Sequence, residues 1–231
     1  MGVTKSYRRL SKAEIEKEAN HLLLKMQSTT NFPKWPDVAE RAVNFLKLDI
    51  VWDKISISNG QCVAARIYPT ERLIEINEDI PELKENPGFL ESTIAHEVGH
   101  WILHVNHDEA DGLSEQLELP WNIVENHQPF LCKNTTDKIN KNYQKTQADW
   151  IEWQAQYFAS CLLMPRYILE EKRKGRDLTQ WSHLYAMRES LGVTISNLTN
   201  RLQDLDWIYI PNGSKQIYLN EKSQDGQRKL F

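Results

Sequence analysis

Ile94-Ala95-His96-Glu97-Val98-Gly99-His100-Trp101 is the segment from which this chain is best understood. Two histidines stand four residues apart with a glutamate directly after the first. On a helix that spacing stacks both imidazoles on one face, one turn apart, where they can reach a single metal ion. Glu97 is then placed to take a proton from a water activated by that metal. The flanks suit a buried helix: Phe89, Leu90, Ile94, Val98, Trp101, Ile102 and Leu103 are apolar, and Pro87 marks the start.

On the N-terminal side the pattern changes twice. Residues Ser11 to Met26 read as a helix, with Ser11 and Glu14 as a capping box and Ile15, Ala19, Leu22, Leu23 and Met26 at helical spacing. A second helix starts at about Asp37, a good N-cap. Between 50 and 77 the period is that of strands, near Ile55 and Ile57, then Val63 to Ile67, then Arg72 to Asn77. Turns at Asn59-Gly60 and Pro69-Thr70 predict a three-stranded antiparallel meander. Its last strand is a structural strand or, functionally, an edge that pairs with an extended peptide.

On the C-terminal side, residues 105–146 form a polar insertion of weak pattern, with a short helix expected over Leu113–Leu119. A helix runs from Gln147 to Leu163 and stops before Pro165. Two more helices, Thr179–Leu191 and Thr194–Leu205, flank Gly192 and resemble a helix-turn-helix. Ile208 to Pro211 suits a strand. The polar tail over 211–231 is expected to be partly disordered, although Ile217 and Leu219 suit a further strand.

A catalytic zinc takes three protein ligands. His104 continues the series His96, His100, but a helix rises about 1.5 Å per residue, which puts it about 12 Å from His96 and out of reach. It reads instead as a cationic residue favoured by the helix C-terminus. A metzincin would carry glycine at 103 and histidine at 106; Leu103, Asn106 and His107 stand in other register. The third ligand is therefore sought among carboxylates of another helix. Glu109, Asp111, Glu115, Glu118 and Glu125 lie in poorly patterned sequence. Glu152 is the favoured ligand, with Asp149 and Gln156 as partners that orient the histidines and Asp149 as the fallback ligand. Ala155 and Ala159 keep that helix face small enough to approach the metal helix.

His96-Glu97-Val98-Gly99-His100, together with Glu152-Trp153-Gln154-Ala155-Gln156-Tyr157-Phe158-Ala159 and Leu162-Leu163-Met164-Pro165, resembles the ImmA/IrrE family of metallo-endopeptidases. The resemblance covers about residues 7–208. It implies an α+β fold with a zincin-like core, zinc on His96, His100 and Glu152, and Glu97 as general base. Manganese and iron suit the same ligand set. It further implies a specific protein substrate, such as a helix-turn-helix repressor or an antitoxin, in stress or mobile-element gene regulation. Two positions depart from the family pattern: Gln154 replaces a glutamate and Gln156 an asparagine. The 51 residues between His100 and Glu152 are longer than usual for the family. On this reading residues 1–170 form the metallopeptidase domain with 105–146 as an insertion or lid. Residues 171–210 form the helix-turn-helix-like segment, and 211–231 the tail.

Composition narrows the alternatives. The chain has 231 residues, 26% charged, with a formal net charge of -4, a poor match to bulk nucleic-acid binding. Over 181–208, Arg188 and Arg201 face Glu189, Asp204 and Asp206, a net of 2 − 3 = −1 and a weak footprint for phosphates. A packing or partner-docking role is favoured there over DNA contact. No apolar run approaches a membrane span. Met1 to Leu10 is polar and basic, which predicts no signal peptide. Three cysteines, Cys62, Cys132 and Cys161, suit a reducing cytoplasm. Candidates for stabilising an oxyanion are Tyr143, Tyr157 and His127. The alternative to a peptidase is a non-catalytic metal-bearing interaction module or DNA-binding regulator.

Overall fold

The computed structural model describes residues 3–55, 63–111 and 146–220. Helices α1 (Lys12–Met26) and α2 (Val38–Leu46) lead into strands β1 (Asp49–Asp53), β2 (Ala65–Tyr68) and β3 (Leu73–Asn77). After the short α3 (Pro81–Glu85) come α4 (Pro87–His104) and the single turn α5 (His107–Ala110). The chain continues with α6 (Gln147–Leu163), α7 (Arg166–Lys172), α8 (Trp181–Leu191) and α9 (Ile195–Asp204). It closes with β4 (Ile208–Tyr209) and β5 (Tyr218–Leu219). The architecture is mixed α and β, with a small sheet packed on helices. Among the described residues no helix is long and apolar enough to cross a membrane.

Local chemistry explains most element ends. Ser11 and Glu14 close the expected capping box on α1. Asn86 caps α4, its side chain accepting from the Phe89 amide at 3.2 Å, and Pro87 opens the first turn. Gly192 ends α8 in the left-handed region at φ 67°, and Thr194 caps α9. A side chain at 192 would run into Pro36, so that turn is pressed against the α1–α2 connection.

The sheet differs from the expected meander. Its order is β1-β3-β2, with β1 parallel and β2 antiparallel to β3. The first strand among the described residues is Asp49–Asp53, ahead of Ile55, and β3 inserts between β1 and β2. The cause is burial. Ile74 and Ile76 are almost fully enclosed, so β3 takes the central place, where both edges are paired. Its expected role as a peptide-pairing edge is thereby removed. The Pro69-Thr70 turn does join β2 to β3, through one 3-10 turn. Ile57, the Asn59-Gly60 turn, the Leu113–Leu119 helix, Tyr143 and His127 lie outside the described residues.

Ala65 and Ile67 stand opposite Ile76 and Ile74, so these four share one face of the sheet. That face joins a core with Ile94 and Val98 of α4 and with Phe158 and Leu162 of α6. Arg72, at the start of β3, makes a bidentate pair with Asp111 at 2.8 and 2.9 Å and so fixes the end of α5 to the sheet. That contact explains why Asp111 takes no part in the metal cluster.

The α8–α9 pair closes the fold. Arg201, fully buried, donates to Glu16 on α1 at 2.8 Å, to the Met164 carbonyl at 3.2 Å and to the Tyr157 hydroxyl at 3.3 Å. Asn197 donates to Ser92 on α4. The one basic residue of α9 is thus spent inside the protein, which leaves it unable to meet a phosphate. Both strands expected after α9 form, over Ile208–Tyr209 and Tyr218–Leu219. Ile217 is buried, and β5 pairs antiparallel with β4.

One cap comes from an unexpected place. Asp37 stands at the N-cap of α2 without a side-chain cap bond, and Glu91 of α4 accepts from the Ala39 amide at 3.0 Å instead. Burial raises the Glu91 carboxyl to about 7, against the pull of that amide. A carboxyl raised in the folded state binds its proton more tightly there than in the unfolded chain. The associated stability is therefore full below about pH 4.5 and lost as pH rises through about 7. We expect Glu91→Gln to match the parent near pH 4.5. At pH 8 it should exceed the parent by up to about 3 kcal/mol in chemical denaturation. An unchanged pH slope would contradict this.

Candidate metal centre

Two helices bring the site together, and one glycine sets their distance. At Gly99 an added Cβ would lie 2.8 Å from the Ala155 carbonyl oxygen and 3.0 Å from its Cα. The backbones of α4 and α6 therefore touch beside His100 on one helix and Glu152 on the other. We expect Gly99→Val to force the helices apart. It should destabilise the fold by about 1–3 kcal/mol and weaken zinc binding at least about tenfold, as a loss of ligand support does. Denaturant unfolding and chelator competition measure the two effects separately.

His96, His100 and Glu152 converge, with one ligand atom from each lying within 4.8 Å of the others. His96 Nε2 lies 3.0 Å from His100 Nε2 and 3.2 Å from Glu152 Oε2, and His100 Nε2 lies 3.5 Å from Glu152 Oε1. Ligands at about 2.0–2.1 Å in a tetrahedron are separated by roughly 3.3 Å. The observed spacings, with each imidazole nearest a different oxygen of Glu152, are close to that separation. Both histidines are buried, and Glu97 is 6% exposed.

The electrostatics favour a cation at this point. Burial opposes charge on His96, yet its bond to Glu152 and the charge of Glu97 hold its pKa above the usual value. Burial works against the Glu152 carboxylate too, but the two imidazoles bring it well below the usual range. Glu97 is raised to about 7 by burial, partly offset by His96. A nitrogen, nitrogen and oxygen donor set of this spacing and charge fits a borderline metal such as zinc.

The residues around the ligands are partly those expected. Gln156 lies against His96 and favours its protonated form. Asp149 belongs to the start of α6, where its carboxylate accepts from the Thr146 amide at 2.7 Å and hydroxyl at 2.8 Å in a capping box. The sequence Thr146-x-x-Asp149 carried that signal, since a threonine three residues before an acid opens helices. Tyr157 is buried, and its hydroxyl accepts from Arg201. Beside Gln156 a cleft of about 460 Å³ runs between α6 and α9, with Ser92, Trp153, Asn197 and Gln203 in its walls.

His104 closes α4 as expected, but its charge state differs from the expected one. It is not the cation of the helix end: burial, with His100 next to it, lowers its pKa to about 3. The cation there is Lys5, whose Nζ donates to the Ile102 carbonyl at 2.8 Å while its amide bonds the His104 carbonyl at 2.8 Å. His107 stacks on Trp101 with ring centroids 4.9 Å apart. In comparisons with known proteins, no family model and no curated sequence matches this chain.

Proposed function

We propose that the chain is a zinc-dependent endopeptidase with a zincin-like core, in which His96, His100 and Glu152 hold the metal and Glu97 is the general base. The observation that carries the reading is the buried three-residue cluster with a second acidic group, Glu97, next to His96 on the same helix. Zinc, when bound, supplies a Lewis acid that polarises a peptide carbonyl and acidifies a water molecule. Glu97 takes a proton from the attacking water and passes it to the leaving amine. Burial suits it to both tasks, because a raised pKa strengthens the carboxylate as a base, and a value of about 7 still lets the carboxyl release its proton near neutral pH. Manganese or iron fits the same ligands.

Beyond the reaction class, the reading rests on the resemblance to ImmA/IrrE peptidases. That resemblance suggests a cytoplasmic protein substrate, a helix-turn-helix repressor or an antitoxin, cut to change gene expression under stress or in mobile elements. The DNA-binding alternative loses its main residue, because Arg201 is buried. The test is digestion of a proteome-derived peptide library by the zinc-loaded protein, read by mass spectrometry with and without chelator. Chelator-sensitive cleavage at defined sequences supports the proposal. A fully zinc-loaded protein that cuts neither the library nor intact repressor and antitoxin proteins would leave a metal-bearing binding module.

A further inference from the structure

We propose that His104 and Gln154 position the metal ligand His100 through a hydrogen-bond relay that runs in one direction and ends on the backbone of the N-terminal arm. The inference rests on the metal centre proposed above and is independent of whether the protein hydrolyses peptides. His100 points Nε2 into the cluster, 3.0 Å from His96 Nε2. Ligation through Nε2 leaves the ring proton on Nδ1, and that nitrogen lies 3.2 Å from His104 Nδ1. For His104 Nδ1 to accept, its own proton must sit on Nε2.

The next link follows from satisfaction of buried groups. His104 Nε2 and Gln154 Oε1 are both buried with no hydrogen-bond partner within bonding geometry, while the Gln154 side chain lies against His104. Gln154 is fully enclosed, and its Nε2 donates to the Arg8 carbonyl at 3.3 Å. That bond fixes which end of the amide is nitrogen, so the oxygen is the end left to accept from His104. Donation then passes from His100 to His104 and on to Gln154, whose amide nitrogen donates in turn to Arg8. A metal-ligating histidine nearly always donates its second ring N–H to an acceptor that sets tautomer and orientation. Here that acceptor is another imidazole, held in its tautomer by an uncharged amide.

The experiment compares zinc affinity of the full chain by competition with a chromophoric chelator for wild type, His104→Ala, His104→Gln and Gln154→Leu. Nitrogen-15 spectra of the His100 imidazole in the zinc-loaded proteins accompany it. We expect His104→Ala to bind zinc about 10- to 100-fold more weakly, and Gln154→Leu to fall in the same direction by about 3- to 10-fold. His104→Gln keeps an acceptor and should recover most of the loss. The His100 Nδ1 resonance should shift in His104→Ala and Gln154→Leu, which a purely structural role would not cause. Affinities of His104→Ala and Gln154→Leu within about twofold of wild type, or spectra showing ligation through His100 Nδ1, overturn the relay. If His104→Ala does not fold, Gln154→Leu and His104→Gln decide by the same two readouts. A wild type that binds no zinc removes the metal centre and the relay together. A wild type that binds zinc beside unaffected variants removes the relay alone.

Discussion

Glu97→Gln should leave one zinc per chain in place while reducing peptide hydrolysis by about 100- to 10,000-fold, the range that general-base catalysis supplies. The substitution preserves the shape and the hydrogen-bonding reach of the side chain. What it removes is the ability to hold a proton between the attack of water and the departure of the amine. Glu97 lies outside the set of three converging ligand atoms, so its amide analogue takes no donor from the metal. The side chain is almost fully enclosed, and glutamine is the replacement least disturbing to that packing. The measurement pairs metal analysis with cleavage of whichever peptide the library yields. Undiminished turnover at full zinc occupancy would exclude Glu97 as the base. Loss of zinc in the variant would show instead that Glu97 supports the ligands electrostatically, as its charge does for His96.

His100→Ala and Glu152→Ala should each abolish stoichiometric zinc. The three side chains approach one another at 3.0 to 3.5 Å, and removing either leaves two donors where a catalytic zinc takes three. We expect affinity to fall by more than the roughly 10- to 100-fold that loss of an outer partner costs, measured by chelator competition and by metal content after gel filtration. Glu152→Ala is the more informative of the two. Two histidines four apart on a helix retain some affinity for many metals, whereas Glu152 comes from a separate helix and tests whether the helices act together. Stoichiometric zinc in Glu152→Ala would transfer the third ligand to Asp149 or to a carboxylate between 112 and 145.

Much of this was legible in the sequence because local signals and burial agree there. The capping box at Ser11 and Glu14, the apolar run around His96 and the alternation along α6 each declare an element without reference to the rest of the chain. Ala155 was readable as a small residue facing the metal helix, and it meets Gly99 there. What failed depends on partners distant in sequence. The parallel pairing of β1 with β3 reflects a contest for the buried central place that a hairpin signal between neighbours cannot reveal. Asp37 was a good cap by type, but Glu91, more than fifty residues later, takes the amide. Helix geometry correctly excluded His104 as a ligand. Its burial under the N-terminal arm, which turns it from a surface cation into a neutral acceptor, is a tertiary fact. Arg201 had the composition of a possible phosphate contact and became an internal tie for the same reason.

The contact between Gly99 and Ala155 also bears on how the protein would respond to scarcity of its metal. A zinc finger has no fold without zinc, because the ion supplies the organising energy. Here α4 and α6 share one continuous apolar core with α1, α2 and the sheet, and their backbones meet at Gly99 and Ala155. On the proposed reading that core, rather than the ion, would hold the two helices together. Loading adds to stability only by mass action, about 1.4 kcal/mol for each tenfold of free zinc above the dissociation constant. If the chain is the zinc enzyme proposed above, its metal-free form would persist as a folded reserve, and the supply of zinc would set how many copies are competent at a given moment without changing how many exist.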